Sequence, residues 1–170
     1  VPLFIWRRFI RRQSIFLTTV LITGGTGFFG KSILAYIAEN NLGIEEVYIL
    51  SRNPKKLSND FNLKNFPFKI TLIPHDIEKP IVFDKYVDFV IHAATSVGLQ
   101  DPLETKKIII DGTENVLKYC VRKNIKRLLY VSSGAVYGSQ PISIKKINEN
   151  YISDYQSRTV YGNSKYEAEK

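Results

Sequence analysis

Three regularly spaced glycines constrain this chain more than any other feature. Gly24, Gly27 and Gly30 follow the apolar, β-branched run Leu17–Thr23 and precede the helical pattern of Lys31–Asn40. A strand, a glycine turn and a helix in this order open a parallel α/β unit. The start of the helix offers free N–H groups and a partial positive charge to an anion. We therefore predict a dinucleotide phosphate site; a purely structural tight turn is the alternative.

Each glycine has a distinct expected role in that site. Gly24 allows the tight turn, Gly27 lets the backbone approach a pyrophosphate, and Gly30 lets the helix pack close to the sheet. The side chains between them belong to the same candidate cofactor site. They are Thr26, Phe28 and Phe29.

Alternating apolar runs predict the rest of the fold. Strands are expected at 45–50, 68–73, 87–91 and 127–132, and helices at 103–121 and 158–170. Several strands are apolar on both faces, which is typical of a parallel sheet covered on both sides. Right-handed crossovers then give a doubly wound, Rossmann-like α/β domain over residues 17–170.

The first sixteen residues form a basic, apolar extension to this domain. The chain of 170 residues carries a net charge of +8, and four arginines fall within the first twelve positions. From Leu17 onward 20 basic residues face 16 acidic ones, a net charge of +4, so we expect no nucleic-acid partner. The extension is interpreted as a non-core segment, with membrane-surface contact and targeting as alternatives. No run is long enough for stable membrane insertion.

A single cysteine limits the chemistry of the chain. Cys120 lies in an apolar helical pattern with no ligand cluster nearby, so we interpret it as a buried structural thiol and expect no metal site. No internal disulfide can form, which fits a reducing compartment, and we expect the protein to be cytoplasmic.

Two further strand ends supply candidate walls for the cofactor site. Asp76 ends the third strand, where it either meets an adenine amino group or forms a turn. His92 closes the fourth strand and is interpreted as a packed or capping residue. The small Ala93 and Ala94 that follow let a cofactor lie against the backbone.

The end of the second strand bears on the choice between NAD and NADP. No carboxylate stands there to bind a ribose 2′-hydroxyl. Ser51 and Arg52 occupy the position instead and can donate to a 2′-phosphate, which favours NADP over NAD. A solvated surface arginine is the alternative.

A tyrosine and a lysine four residues apart suggest acid/base chemistry. Tyr161 and Lys165 share one face of the last predicted helix. An ammonium beside a phenol stabilises the phenolate and lowers the tyrosine pKa, whereas a solvated helix face is the alternative. Ser133 ends the fifth strand, at the edge where doubly wound folds bind ligands, and its hydroxyl can orient a substrate opposite the tyrosine.

Together these motifs resemble the extended short-chain dehydrogenase/reductases, which are NAD(P)-dependent epimerases, dehydratases and reductases of nucleotide sugars. The resemblance covers roughly 19–170. It rests on TGGTGFFG at 23–30, Asp76-Ile77, HAA at 92–94, SSGAVYG at 132–138 and YGNSK at 161–165. It implies that Ser133 is the catalytic hydroxyl residue, Tyr161 the general acid/base and Lys165 the assisting lysine. It adds Ile77, Tyr161 and Lys165 to the expected cofactor contacts.

The resemblance also implies an enzyme that transfers hydride between a nucleotide sugar and nicotinamide, and a homodimer. Ile109 replaces the family's usual asparagine, and Gly134-Ala135 replace the Asp-Glu of 4,6-dehydratases. If the chain belongs to an enzyme, an NADPH-dependent 4-ketoreductase of a nucleotide sugar is an alternative to an epimerase or dehydratase. Family members continue for a further substrate domain, so we expect this chain alone to be inactive. The alternative is a non-enzymatic dinucleotide-binding module or an inactive fragment.

Overall fold

A computed structural model of the chain describes residues 18–95, 101–151 and 158–170. Its strands are Thr18–Thr23 (β1), Ile44–Ser51 (β2), Lys69–Pro74 (β3), Phe89–His92 (β4) and Arg127–Tyr130 (β5). Its α-helices are Phe28–Asn40 (α1), Leu57–Asp60 (α2), Pro102–Arg122 (α3) and Val160–Glu169 (α4). The proposed extension at 1–16 lies outside the described residues.

The five strands form one parallel sheet in the order β3-β2-β1-β4-β5. The chain builds outward from β1 to β3 and then returns to the other side of β1 for β4 and β5. This reversal confirms the doubly wound fold. In such folds the crevice between the carboxyl ends of the two central strands is the usual ligand site, and here those strands are β1 and β4.

Both faces of the sheet are covered by apolar side chains, as the strand sequences predict. Leu21, Val90 and Val116 belong to the core under α3. Ile22 and Leu34 belong to the core under α1. Because neighbouring residues of a strand point to opposite faces, β1 contributes to both cores and is buried from Val20 onward.

Local sequence signals set the ends of the helices that border the site. The Asp101 carboxylate accepts the Leu103 N–H at 2.8 Å and caps α3, with Pro102 in the first turn. The Thr159 hydroxyl accepts the Gly162 N–H at 3.1 Å and caps α4. Both caps fix where the helix begins, and the second one places Tyr161 in the first turn of α4.

The sequence-based boundaries differ from the structure by a few residues. The first helix begins at Phe28 rather than Lys31, and the fourth strand runs over Phe89–His92 rather than 87–91. The strand at the end of the sheet, β5, pairs with β4, and Leu129 is 58% exposed. No helix within the described ranges is both long and apolar enough to cross a membrane.

Candidate active site

The glycine turn is built from backbone contacts that leave no room for side chains. Gly24 has a φ of +71°, and a Cβ on it would lie 2.6 Å from the Ala94 nitrogen. A Cβ on Gly30 would lie 2.4 Å from the Gly25 Cα and 2.5 Å from the Gly24 oxygen. A side chain at either position would therefore clash with the backbone. Because Gly30 packs directly against the turn, the start of α1 lies close to it.

The start of α1 has the properties of an anion site. Gly27 precedes the helix with extended backbone, and no described side chain caps it. The first turn holds no acidic residue. The N–H groups of this turn have no partner within the helix, so they are available to a ligand along with the positive end of the helix dipole.

A cleft of about 330 Å³ lies at the carboxyl end of the sheet, in front of this turn. It brings together most of the residues that the sequence assigned to cofactor binding. These are Gly24, Thr26, Gly27, Phe28, Phe29, Ser51, Arg52, Asp76, Ile77, Ala93, Ala94 and Tyr161. Three predicted site residues, Gly30, Ser133 and Lys165, do not line it.

One corner of the cleft carries hydroxyl groups and a guanidinium. The hydroxyl oxygens of Thr26 and Ser51 lie 3.1 Å apart, which joins the glycine turn to the end of β2. Arg52 is exposed and lines the cleft beside them. This corner therefore offers both neutral and charged hydrogen-bond donors to an anion.

The opposite wall is held in place by α3. Asp76 lines the cleft, and its carboxylate also accepts the Glu78 N–H at 3.2 Å, so it forms the turn as well. The Asn115 side chain donates to the Ile77 carbonyl at 2.8 Å. A Cβ on Gly112 would lie 2.7 Å from the Ile77 side chain. The sequence reasoning missed Asn115 and Gly112, although their i,i+3 spacing on one helix face was a visible signal.

His92 belongs to a buried hydrogen-bond chain behind the cleft. Thr113 donates to the Ile109 carbonyl, so its oxygen accepts from His92 Nε2 at 3.1 Å. On the other side the Ala94 N–H donates to the Thr23 hydroxyl oxygen, which lies 2.6 Å from His92 Nδ1.

A neutral imidazole that carries its proton on Nε2 fits both contacts. Burial, with a smaller contribution from the charge of Lys165, lowers the pKa of His92 to about 4. The ring is 1% exposed. These contacts agree with the interpretation of His92 as a packed residue.

Ser133 caps a short 3-10 turn, Gly134–Tyr137, directly after β5. Its hydroxyl oxygen accepts the Ala135 N–H at 3.2 Å, which leaves the hydroxyl hydrogen available to a substrate. A Cβ on Gly162 would lie 2.4 Å from the Ala135 oxygen, so the turn packs directly on α4. The Arg158 Nε also donates to the Val136 carbonyl at 2.6 Å. The Ser133 turn is thus fixed against the helix that carries Tyr161.

Tyr161 and Lys165 lie on the inner face of α4. Tyr161 lines the cleft. The Lys165 Nζ lies 6.0 Å from the centre of the Tyr161 ring and donates to the Val131 carbonyl at 2.9 Å. Lys165 is 2% exposed, and burial lowers its pKa to about 8, with the charge of Glu169 acting in the opposite direction. The solvated-face alternative is therefore wrong for this helix.

Thr95 is a cleft residue that the sequence reasoning did not predict. Its hydroxyl is buried and has no hydrogen-bond partner among the described residues. It lines the cleft next to Ala94. Its position directly after the His92-Ala93-Ala94 segment was the only signal in the sequence.

Comparison with known proteins establishes the class. The model of the NAD-dependent epimerase/dehydratase family matches residues 20–170. The chain belongs to this family, which confirms the resemblance drawn from its motifs. Membership agrees with the doubly wound sheet and with the position of Tyr161, which lines the cleft and has Lys165 behind it.

The curated relatives that the chain matches include proteins named as nucleotide-sugar enzymes. It is 31% identical over 156 residues to a putative UDP-glucose 4-epimerase of Methanocaldococcus jannaschii, covering 89% of this chain and 48% of that protein. It is 32% identical over 163 residues to an inverting UDP-N-acetylglucosamine 4,6-dehydratase of Campylobacter jejuni, covering 85% of this chain and 48% of that protein. The chain thus spans about half the length of the curated relatives it matches.

Solved structures share the fold. The UDP-glucose 4-epimerase of Bifidobacterium longum, solved with NAD⁺ and UDP, superimposes with a TM-score of 0.74 at 21% identity. The match covers 89% of this chain and 47% of that one. At this identity the similarity supports the doubly wound architecture.

Proposed function

We propose that this chain supplies the cofactor-binding and acid/base part of an NAD(P)-dependent enzyme that modifies a nucleotide sugar. The observation that carries the proposal is the position of Tyr161, which lines the same cleft as the glycine turn, with the buried Lys165 beside it. The names of the curated relatives, which include UDP-sugar epimerases and dehydratases, support the substrate class.

The residues of the cleft fit a nicotinamide dinucleotide. The missing Cβ atoms at Gly24 and Gly30 and the uncapped start of α1 suit a pyrophosphate. The buried Thr95 hydroxyl supplies an unused polar group on the same surface. A bound nicotinamide supplies hydride acceptance and return; the other roles fall to protein side chains.

We assign three of those roles at the reacting sugar. Tyr161, as the phenolate, takes the proton from a sugar hydroxyl when the carbon loses its hydride, and the resulting phenol gives the proton back in the reverse step. The Lys165 ammonium stabilises the phenolate. The free hydroxyl hydrogen of Ser133 orients the sugar oxygen. Epimerisation, dehydration and decarboxylation can follow this oxidation, whereas reduction of a keto-sugar runs the hydride and proton transfers in the opposite direction.

An NADPH-dependent reductase of a 4-keto nucleotide sugar is the second candidate. The observation that favours it is the corner formed by Thr26, Ser51 and the exposed Arg52, which offers donors to a 2′-phosphate. A homodimer through α3 and α4 and a cytoplasmic location also remain proposals. Leu103 and Val121, on α3, are 78% and 82% exposed and suit a partner surface.

A fluorescence titration with NADPH and, separately, NADH tests the cofactor assignment. Saturable binding that favours NADPH and weakens about tenfold in Arg52→Ala supports the 2′-phosphate contact, since a charge-assisted hydrogen bond contributes roughly 1.5–3 kcal/mol. Arg127→Ala is the matched control, because Arg127 is an exposed arginine at the other end of the sheet. Binding of neither nucleotide by the folded chain would refute the proposal.

A second measurement tests the chemistry itself. A version of the protein extended past Lys170 is incubated with NAD⁺ and UDP-glucose, because we expect the chain alone to be inactive. NADH is detected by its fluorescence, with Tyr161→Phe as the control. The expected result is NADH formation that disappears in the variant. Cofactor binding without Tyr161-dependent turnover would favour the non-enzymatic dinucleotide-binding alternative.

A further inference from the structure

We propose that Tyr130 is the positioning residue for Lys165, because its ring face holds the lysine ammonium in the place from which it acts on Tyr161. The inference rests on the proposed function for its catalytic meaning, although the contact itself can be tested without cofactor. Tyr130 is the last residue of β5, outside the motifs that the sequence reasoning singled out.

Two contacts fix the end of the lysine side chain. The Lys165 Nζ lies 4.6 Å from the centre of the Tyr130 ring and donates to the Val131 carbonyl at 2.9 Å. The same nitrogen lies 6.0 Å from the Tyr161 ring, at the outer limit for a cation–π contact. The aromatic ring nearer to the ammonium is therefore that of Tyr130.

The ammonium needs this contact because it is buried. Lys165 is 2% exposed, and burial disfavours its charged form. The negative face of an aromatic ring opposes this effect, most strongly where water is excluded. The charge of Glu169 on α4 opposes the effect of burial on the Lys165 pKa and favours the ammonium. His92 of β4, whose own pKa is lowered to about 4 by burial and by the charge of Lys165, is neutral near pH 7.

The ring of Tyr130 is itself held by the sheet. The residue that follows, Val131, donates its N–H to the His92 carbonyl at 3.0 Å. The Tyr130 ring lies 5.5 Å from the His92 ring at an angle of 38°. The Tyr130 hydroxyl is buried, and burial is the main cause that raises its pKa to about 12, so the phenol stays neutral. Because Tyr130 belongs to a strand that is hydrogen-bonded to β4, its ring can fix the lysine more firmly than a ring on a loop can.

The test measures the pKa of Lys165 by NMR in the chain labelled with ¹³C at lysine Cε, without dinucleotide. Lys165→Arg assigns the signal. Tyr130 is replaced by phenylalanine and then by phenylalanines carrying one, two and three fluorines, which weaken the ring face with little change in volume. We expect Tyr130→Phe to stay within about 0.3 units of the unaltered chain. The trifluorinated ring should lower the pKa by about half a unit or more, as a cation–π contact of ~1 kcal/mol predicts.

Two variants separate a specific contact from a structural effect. Tyr130→Leu removes the ring and should lower the Lys165 pKa by about one unit, with recovery in Tyr130→Phe. Tyr166→Leu is the control, because Tyr166 lies on the same helix and stacks on Arg158 instead. A Lys165 pKa that is unchanged across the fluorinated series would overturn the inference, even if Tyr130→Leu does not fold.

The two proposals fail in different ways. If the unaltered chain binds neither NADPH nor NADH, the proposed function is refuted. The result of the fluorine series would still stand, because it is measured without dinucleotide. Normal cofactor binding with an unchanged lysine pKa across the series would refute the role of Tyr130 alone.

Discussion

The two ends of the candidate site are built in different ways. At the proposed phosphate end, Gly24 and Gly30 bring backbone atoms together at distances that no side chain would fit. At the proposed acid/base end, Lys165 of α4 reaches across to the Val131 carbonyl, 34 positions away in the sequence. We expect an added side-chain atom to disrupt the first end. We expect the second end to be disrupted by the loss of a contact or by a change of charge.

The largest effect is expected from adding one methyl group at the phosphate end. Gly30→Ala places a Cβ 2.4 Å from the Gly25 Cα, which is backbone and cannot rotate away. We expect the free energy of unfolding to fall by at least about 3 kcal/mol, the upper part of the range for overpacking, and NADPH binding to be lost. Urea denaturation measures the change.

Gly134→Ala is the matched control for this substitution. A Cβ there meets no atom within 4 Å among the described residues. Its free energy of unfolding should stay within about 0.5 kcal/mol of the unaltered chain. Equal stability of Gly30→Ala and Gly134→Ala would show that the glycine turn can widen to take a side chain. It would contradict the expectation that this turn is disrupted by one added methyl group.

The next effect is a loss of stability in mild acid, caused by His92. Its pKa is about 4 in the folded chain and about 6.5 when unfolded, so the unfolded chain binds the proton more tightly. The contribution of His92 is complete above about pH 6.5 and is lost as the pH falls towards 4. We expect the free energy of unfolding to drop by about 2 kcal/mol between pH 7 and pH 5.

Urea denaturation at a series of pH values checks this expectation. His92→Gln should flatten the dependence between pH 7 and pH 5. His75→Gln should retain it, because His75 lies outside the buried chain and contacts the Lys79 carbonyl. If the free energy of unfolding of His92→Gln still falls between pH 7 and pH 5, the acid sensitivity belongs to another group.

A smaller effect is expected where α4 meets the Ser133 turn. Gly162→Ala places a Cβ 2.4 Å from the Ala135 oxygen, so the helix and the turn must separate. Because the turn follows the edge strand β5, whereas the glycine turn follows the central strand β1, we expect about 1–2 kcal/mol of destabilisation, less than for Gly30→Ala. Nucleotide affinity should change less than in Gly30→Ala. An NADPH titration of both variants makes the comparison, and a greater affinity loss in Gly162→Ala would contradict it.

The smallest effect on stability is expected from Arg52→Ala. Arg52 is exposed, and no described residue forms an ion pair with it. The free energy of unfolding should therefore change by no more than about 0.5 kcal/mol. The thermal midpoint, which checks this, should stay close to that of the unaltered chain. A clear loss of stability would mean that Arg52 supports the fold, and the weaker NADPH binding of this variant could not then be assigned to the 2′-phosphate.

Much of the fold could be predicted because its signals are local. The run Leu17–Thr23 was apolar and β-branched, and β1 lies at the centre of the sheet. The boundaries were less accurate, since α1 begins at Phe28 rather than Lys31. The spacing of apolar residues indicates which helical positions are buried. Because Phe28 is 77% exposed, this spacing did not indicate that the helix begins there.

The candidate site was predicted in part. Tyr161 and the glycine turn share one cleft, as their order along the chain implied. Ser133 and Lys165 do not line that cleft, and Asn115, Thr95 and Tyr130 were missed. Their roles depend on contacts between segments that are far apart in the sequence, which spacing within one segment cannot report.

The order of strands and helices along the chain, the glycine turn and the family could be predicted from the sequence, because each depends on residue type and spacing within a short segment. The contacts of His92 with Thr23 and Thr113, and of Lys165 with Tyr130, became visible in the folded structure alone. The physical reason is that hydrogen-bond direction, burial and the pKa of a group depend on every neighbour brought near it by folding.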